Sequence, residues 1–426
     1  MKYLGFVVVA GLAAVAVLLP APAALSPEPS VPEEVASVAV CAIEEGSGRT
    51  TAISVLSTVD GPVSLTLFAG GETTGSIGHE TGSSGSITIP VVDVSAVGTV
   101  GGLVEMPVAS SAAGALVSGA ESMSSESCSS VAHPLTFLTG ATTASGDTFQ
   151  LHLMNPYAGE AVVELTVNSE AGNESNARFE AVIVPPRSSH IVDFTELVPG
   201  RETLSIVIET SRGRVISVGR QAAAGEIAIW QAVPPAQDWF IPIPGGQGRR
   251  EVVVATPINA DVEYQVDFYG PEGLEEGLLS GVMPARGRAT IDVTELSDKP
   301  VALRIISTAP IVPTLWIESE EGLSVTTASP RSANRWLLPG AGVPAGGRAT
   351  VVILNISIDD STVTIRPLRR GTTVRTLTVG SDSLLELALE AADGYLIESV
   401  GETVVLWSGH RSQASVAAIG VPVSDE

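Results

Sequence analysis

The chain has 426 residues, 44% of them hydrophobic and only 16% charged, which is material for several folded domains and excludes a charge-rich disordered polymer. Its formal charge of −25 excludes an electrostatically driven nucleic-acid partner, because such a surface repels phosphate backbones and anionic lipid headgroups alike. The 43 glycines and 28 prolines point to short strands joined by many turns, so the expected fold class is all-β.

The first element is hydrophobic. Lys2 precedes an uncharged run from Leu4 to Leu19, followed by Pro20 and the A-x-A-like stretch Ala21-Pro22-Ala23-Ala24. Residues 1–25 therefore read as a secretory signal peptide or, if uncleaved, as an N-terminal helix anchoring the chain to a membrane. That segment is the only route to the membrane in the sequence reading, and both outcomes place the remainder outside the cytoplasm. Residues 26–35 (Ser26-Pro27-Glu28-Pro29-Ser30-Val31-Pro32 and on) read as a Pro-rich linker.

Module one spans 36–132 and is flanked by Cys41 and Cys128, the only cysteines. An even cysteine count outside the cytoplasm predicts a disulfide, worth about 4–5 kcal/mol in the chain-entropy model for a loop of this length. The Ser/Gly/Ala-rich stretch Val108–Ser130 predicts loops around a short strand at Ala115–Val117.

Module two, 133–236, introduces a pattern that recurs. Phe149–Met154 leads to Asn155, after which Val163, Leu165 and Val167 alternate as on a half-buried strand. Ile183-Val184-Pro185 then leads to Asp193-Phe194-Thr195-Glu196-Leu197, whose Asp and Glu are spaced as in a capping box for one helical turn between two sheets. Thr139–Gly146 reads as flexible, and Phe137 stands near the place where later modules carry a tryptophan. Module three, 237–333, opens on Trp239-Phe240-Ile241-Pro242, continues through the strand Glu251–Ala255 to Asn259 and reaches Asp292-Val293-Thr294-Glu295-Leu296. Module four, 334–426, opens on Trp336-Leu337-Leu338-Pro339 and passes through Thr350–Leu354 to Asn355. Trp239 and Trp336 lie 97 residues apart, Asn259 and Asn355 96, and Asp193 and Asp292 99. Trp230, Trp316 and Trp407 read as a further set of counterparts near the module ends.

A repeat of about 97 residues built from short alternating strands predicts about four tandem immunoglobulin-like β-sandwich modules. A β-propeller is disfavoured, because its blades run about 40–50 residues and a closed ring would need the period halved. The W-x-x-P and "N-P…v-D-x" motifs, with a hydrophobic N-terminus and a cysteine-flanked first module, resemble an uncharacterised group of actinobacterial envelope proteins of unknown function. The resemblance implies an envelope location and supplies no catalytic residues.

Nothing in the sequence identifies a catalytic residue, a cofactor site or a metal site. His79, His133, His152, His190 and His410 show no metal-binding spacing, and His152, between Leu151 and Leu153, is expected on a polar strand face. Ser76–His79 and Ser408-Gly409-His410 lack the context of a nucleophile elbow and read as turns. Asp359-Asp360 reads as turn chemistry and not as a calcium loop. The five tryptophans are the candidate sugar platforms, with core or module-junction roles as the competing reading. The expected function is that of a non-enzymatic extracytoplasmic scaffold or protein-interaction array with an envelope protein as partner; the alternative is a cell-wall carbohydrate-binding protein.

Overall fold

The computed structural model describes residues 38–423, apart from 45–47, 70–71, 82–84, 94–98, 108–109, 121, 224, 247, 321, 342–346, 369–372, 391 and 412–413. The expected N-terminal helix and Pro-rich linker lie outside the described residues. What is described is almost entirely antiparallel β-structure, and Ala36–Glu426 forms one compact unit.

Module two shows the plan. Its first three strands are Leu135–Ala141, Thr148–Asn155 and Ala161–Ser169. The short strands Gly172–Glu174 and Val182–Val184 share the fourth place. Ser188–Asp193, Leu204–Arg212, Ile216–Ala223 and Glu226–Gln231 are the fifth to eighth. One sheet has the order first–sixth–third–fourth and the other fifth–second–seventh–eighth. The same two orders recur in every module, with the sixth and seventh strands fused into single long strands, Val301–Ser319 and Gly394–Arg411, in modules three and four. The pairing of second with fifth and third with sixth is the one expected of immunoglobulin-like modules. The first and seventh strands, however, have changed sheets: the first pairs with the sixth and the seventh with the second.

The sandwiches close into a ring. After each eighth strand the chain bridges back to its own first strand, at Val40/Ser129, Phe137/Val233, Phe240/Ser329 and Leu337/Val421. The first-strand partner in each bridge faces the next module. Val40 packs with Met154, Ile216 and Ile229 of module two, and Phe137 joins the core of module three. Phe240 joins that of module four, and Leu337 packs on Leu56 and Ala112 of module one. The eighth strands, Met123–Ser127, Glu226–Gln231, Gly322–Thr327 and Ala414–Ile419, touch one another in a cycle, the fourth returning to the first. The second strands of such a ring are covered on both faces, which explains their unbroken apolar runs: Val351, Val352, Ile353 and Leu354 are all fully buried.

The ring overturns several expectations. A closed ring does form, with the full module as its period, because whole sandwiches and not single sheets are the repeating wedge. The Ser/Gly/Ala-rich stretch of module one holds two strands, Ser111–Ser118 and Met123–Ser127. Small residues there allow close approach: a Cβ on Gly114 would sit 3.1 Å from Pro339 of module four. Thr139–Gly146 is no loose loop at its start, since Thr142 N–H donates to Gln221 Oε1 (3.0 Å) and the Thr143 hydroxyl to Val198 O (2.6 Å). Ser76–His79 lies in the strand Glu72–Glu80, and Ser408–His410 in Gly394–Arg411, so neither is a turn.

Candidate functional site

The repeat is its own control: a side chain with a counterpart in every module serves the fold, and one without needs another explanation. Asn155 and Asn355 are buried at the end of the second strand and make the same bonds. Asn155 Nδ2 donates to the carbonyls of Gly159, Val184 and Pro185, while Oδ1 accepts from Tyr157 N–H (3.0 Å). Asn355 Nδ2 donates to those of Asp359, Val379 and Gly380, and Oδ1 accepts from Ser357 N–H (3.0 Å). Asn259 does not belong to this set. Thr256 holds the place in module three, its hydroxyl oxygen accepting from Ile258 N–H (3.2 Å), and Ser57 holds it in module one, accepting from Val59 N–H (3.2 Å). Asn259 is exposed, three residues further on. Asp193 and Asp292 cap equivalent turns: each Oδ1 accepts from the N–H two residues on (2.9 Å) and three residues on (3.4 Å).

Trp239 and Trp336 are true counterparts. Both are fully buried, and each indole N–H donates to the carbonyl three residues earlier. The residue in that place in module two is Thr136, one before Phe137, which faces module three instead. Trp230, Trp316 and Trp407 are not counterparts. Gly219 pairs with Trp230 in module two, whereas Trp407 pairs with Ala418 in module four, so neighbouring strands supply the indole for the same part of the core. Trp316 lies one register step away on the seventh strand and packs against the core of module two. Four of the five tryptophans are at most 1% exposed and present no face to a sugar.

Cys41 and Cys128 are disulfide-bonded, their Cα atoms 4.6 Å apart, beside the Val40/Ser129 bridge.

Three polar clusters lie where modules meet; the one around the axis recurs from seam to seam, and the other two do not. Between modules one and two, Arg220 holds Glu44 through two parallel bonds of 2.7 Å, a geometry in which charge assistance is strongest. His152 lies beside them and is only 4% exposed, not on a wet face as its alternation suggested, because module one covers that face. Burial, reinforced by the Arg220 charge and partly offset by Glu44, pushes its imidazole down to about 4.

Around the axis, side chains cross each seam between eighth strands. Ser124 Oγ accepts from Ile229 N–H (2.8 Å), and Gln231 Nε2 donates to Ser127 O. Thr327 donates to Gln231 O (3.1 Å), Ser324 bonds Ser415 (3.0 Å), and Ser127 donates to Ile419 O (3.2 Å), closing the cycle. Glu126 sits within this belt, and burial raises its carboxyl well above the usual range against the pull of the Gln231 backbone.

Between modules three and four lies a cavity of about 60 Å³ bordered by Arg250, Ser319, Ser324, Ser408, His410 and Ser415. Its cationic and hydroxyl lining is suited to hydrogen-bonding, and no sequence signal singled out Arg250. Among the described residues no group of three or more His, Cys, Asp or Glu is placed to hold a metal ion. No helix among them is long and apolar enough to cross a membrane.

A family profile matches residues 90–390, from the end of the fifth strand of module one to just past that of module four. The chain belongs to DUF5719, a family of unknown function. In this DUF5719 chain the matched span takes in modules two and three whole, together with the junctions on either side of them. No curated protein matches the chain. Among solved structures, the Thermotoga maritima 1070 protein is 14% identical over 23% of this chain and 97% of its own, with a TM-score of 0.19. The tetra-tandem repeat from the extending region of a large adhesion protein is 12% identical over 91% of this chain and 100% of its own, with a TM-score of 0.11. Likeness at that level carries no argument.

Proposed function

We propose that this DUF5719 protein is a non-catalytic, extracytoplasmic scaffold of the cell envelope that presents a rigid ring of immunoglobulin-like sandwiches to a protein partner. The observation that carries the reading is the closed cycle of eighth strands. It fixes four modules into one body, and four of the five tryptophans are buried in cores. The leader and the Cys41–Cys128 disulfide support a location outside the cytoplasm, where oxidised cysteines persist. The outward-facing loops are free to vary on such a frame, and loops on a rigid frame are the usual place for recognition.

Cross-linking in intact cells, with the protein at native abundance, tests the proposal. A defined envelope protein captured in a fixed ratio supports the scaffold. Absence of any protein adduct, together with saturable retention of wall polysaccharide by purified residues 36–426, would replace it with the carbohydrate-binding alternative.

A further inference from the structure

We infer that the cavity between modules three and four is a binding site for a small oxyanion of the size and chemistry of inorganic phosphate. Arg250 breaks the repeat at the start of the second strand. Phe149 N–H donates to Thr195 Oγ1 (2.9 Å) and Arg250 N–H to Thr294 Oγ1 (2.8 Å), which fixes the two residues as counterparts. The ladders place Thr51 and Ala349 at the same point in modules one and four. Three modules thus close this end of the sandwich with a neutral side chain, and module three alone buries a guanidinium, 2% exposed.

The charge is incompletely met. Nη1 donates to Pro244 O (3.1 Å) and Lys299 O (3.4 Å), and Nη2 to Ser297 O. Nε is buried without a partner, and no carboxylate is among the hydrogen-bond partners of the group. Asp292, Asp298 and Glu386 act on it only through their charge, and burial outweighs them, lowering its proton affinity. A buried cation without a bonded counter-ion is costly, and a core side chain of the kind found in the other modules would avoid that cost.

The space next to it suits an anion. Roughly 10–15 Å³ of such a cavity holds one water, so about 60 Å³ accommodates several waters or one tetrahedral oxyanion. Ser319, Ser324, Ser408 and Ser415 line it with hydroxyl groups, of which Ser324 and Ser415 share one hydrogen bond (3.0 Å), leaving one proton of that pair to donate, and Ser408 is bonded to Thr350 (2.7 Å); His410 brings an imidazole. The carboxylates of Asp298, Asp292 and Glu386 oppose an anion beside Arg250; Glu386 is held at the cavity edge, where its Oε1 accepts from Gly245 N–H (3.2 Å), and burial raises its carboxyl above the usual range.

Calorimetric titration of the purified full chain with inorganic phosphate tests the site. The expected result is saturable binding to one site, weakened at least tenfold by Arg250→Met and strengthened several-fold by Glu386→Gln, which removes an opposing charge. Absence of saturable binding means that the cavity holds water only, and overturns the inference. So does binding that survives Arg250→Met in a folded protein. If Arg250→Met does not fold, Glu386→Gln decides: tighter binding supports the site, and unchanged affinity overturns it.

Discussion

Module one and the three modules that follow meet the same requirement by different chemistry. In each, the chain leaving the eighth strand must be held against the first strand beside the bridge that closes the sandwich. Module one uses the covalent pair Cys41/Cys128. By the same register, modules two, three and four use Leu138/Ala232, Ile241/Ala328 and Leu338/Gly420. The first two pairs are buried together in their cores, and Gly420 is so close to Leu338 that a Cβ there would come within 2.6 Å of the leucine. A large residue against a small one fills the volume that the disulfide fills. The difference shows that the fold does not need the disulfide for its geometry. Its contribution is to limit the freedom of the unfolded chain.

The comparison can be broken most directly at the cysteines. Cys41→Ser with Cys128→Ser should cost about 4–5 kcal/mol in urea unfolding, the chain-entropy value for so long a loop. Cys41→Leu with Cys128→Ala should recover about 1–2 kcal/mol of that by restoring apolar packing. Equal losses for the two double variants would mean that the apolar pairs are not equivalent to the staple.

A second contrast lies at the end of the second strand. Asn355→Ala deprives three carbonyls of a donor and the Ser357 N–H of an acceptor in a buried place, and should cost about 3–5 kcal/mol. Ser57→Ala removes the bond from the Val59 N–H, the donation to Val59 O (2.7 Å) and the bond from the Ser111 hydroxyl (2.9 Å), all local, and should cost about 2 kcal/mol. Similar unfolding midpoints for the two variants would show that the modules do not depend on this position to different extents.

The seam between modules one and two provides the third test, through pH. His152 titrates near 6.5 when unfolded and is pushed down to about 4 in the folded protein. Between those values the unfolded chain binds more protons, so stability is full above about pH 6.5 and declines as pH falls toward 4, by up to about 3 kcal/mol. His152→Leu should flatten that part of the pH profile. An unchanged slope would place the acid sensitivity elsewhere.

Much of the fold is legible along the chain. Alternating apolar residues mark the strands, Asp193 and Asp292 mark the capped turns, and Trp239 and Trp336 mark two first strands. Other matches mislead because spacing alone cannot distinguish a register from a coincidence. Asn259 falls 96 residues before Asn355, yet hydrogen bonding gives its place to Thr256. Trp230 and Trp407 look like one repeated residue, although they come from adjacent strands whose partner positions have exchanged large and small side chains. His152 reads as solvent-facing because alternation reports that a strand has two faces and not what covers the second one.

The sequence by itself determined the strand content, the approximately 97-residue period and the two cysteines available to pair, since local periodicity and composition carry that information. Only the tertiary structure decided that the modules close into a ring, that the first and seventh strands change sheets, and that Arg250 is buried beside a polar cavity. Those outcomes depend on which strands and sheet faces meet, and such contacts join residues far apart along the chain, within a module for the sheet change and between modules for the ring and the cavity.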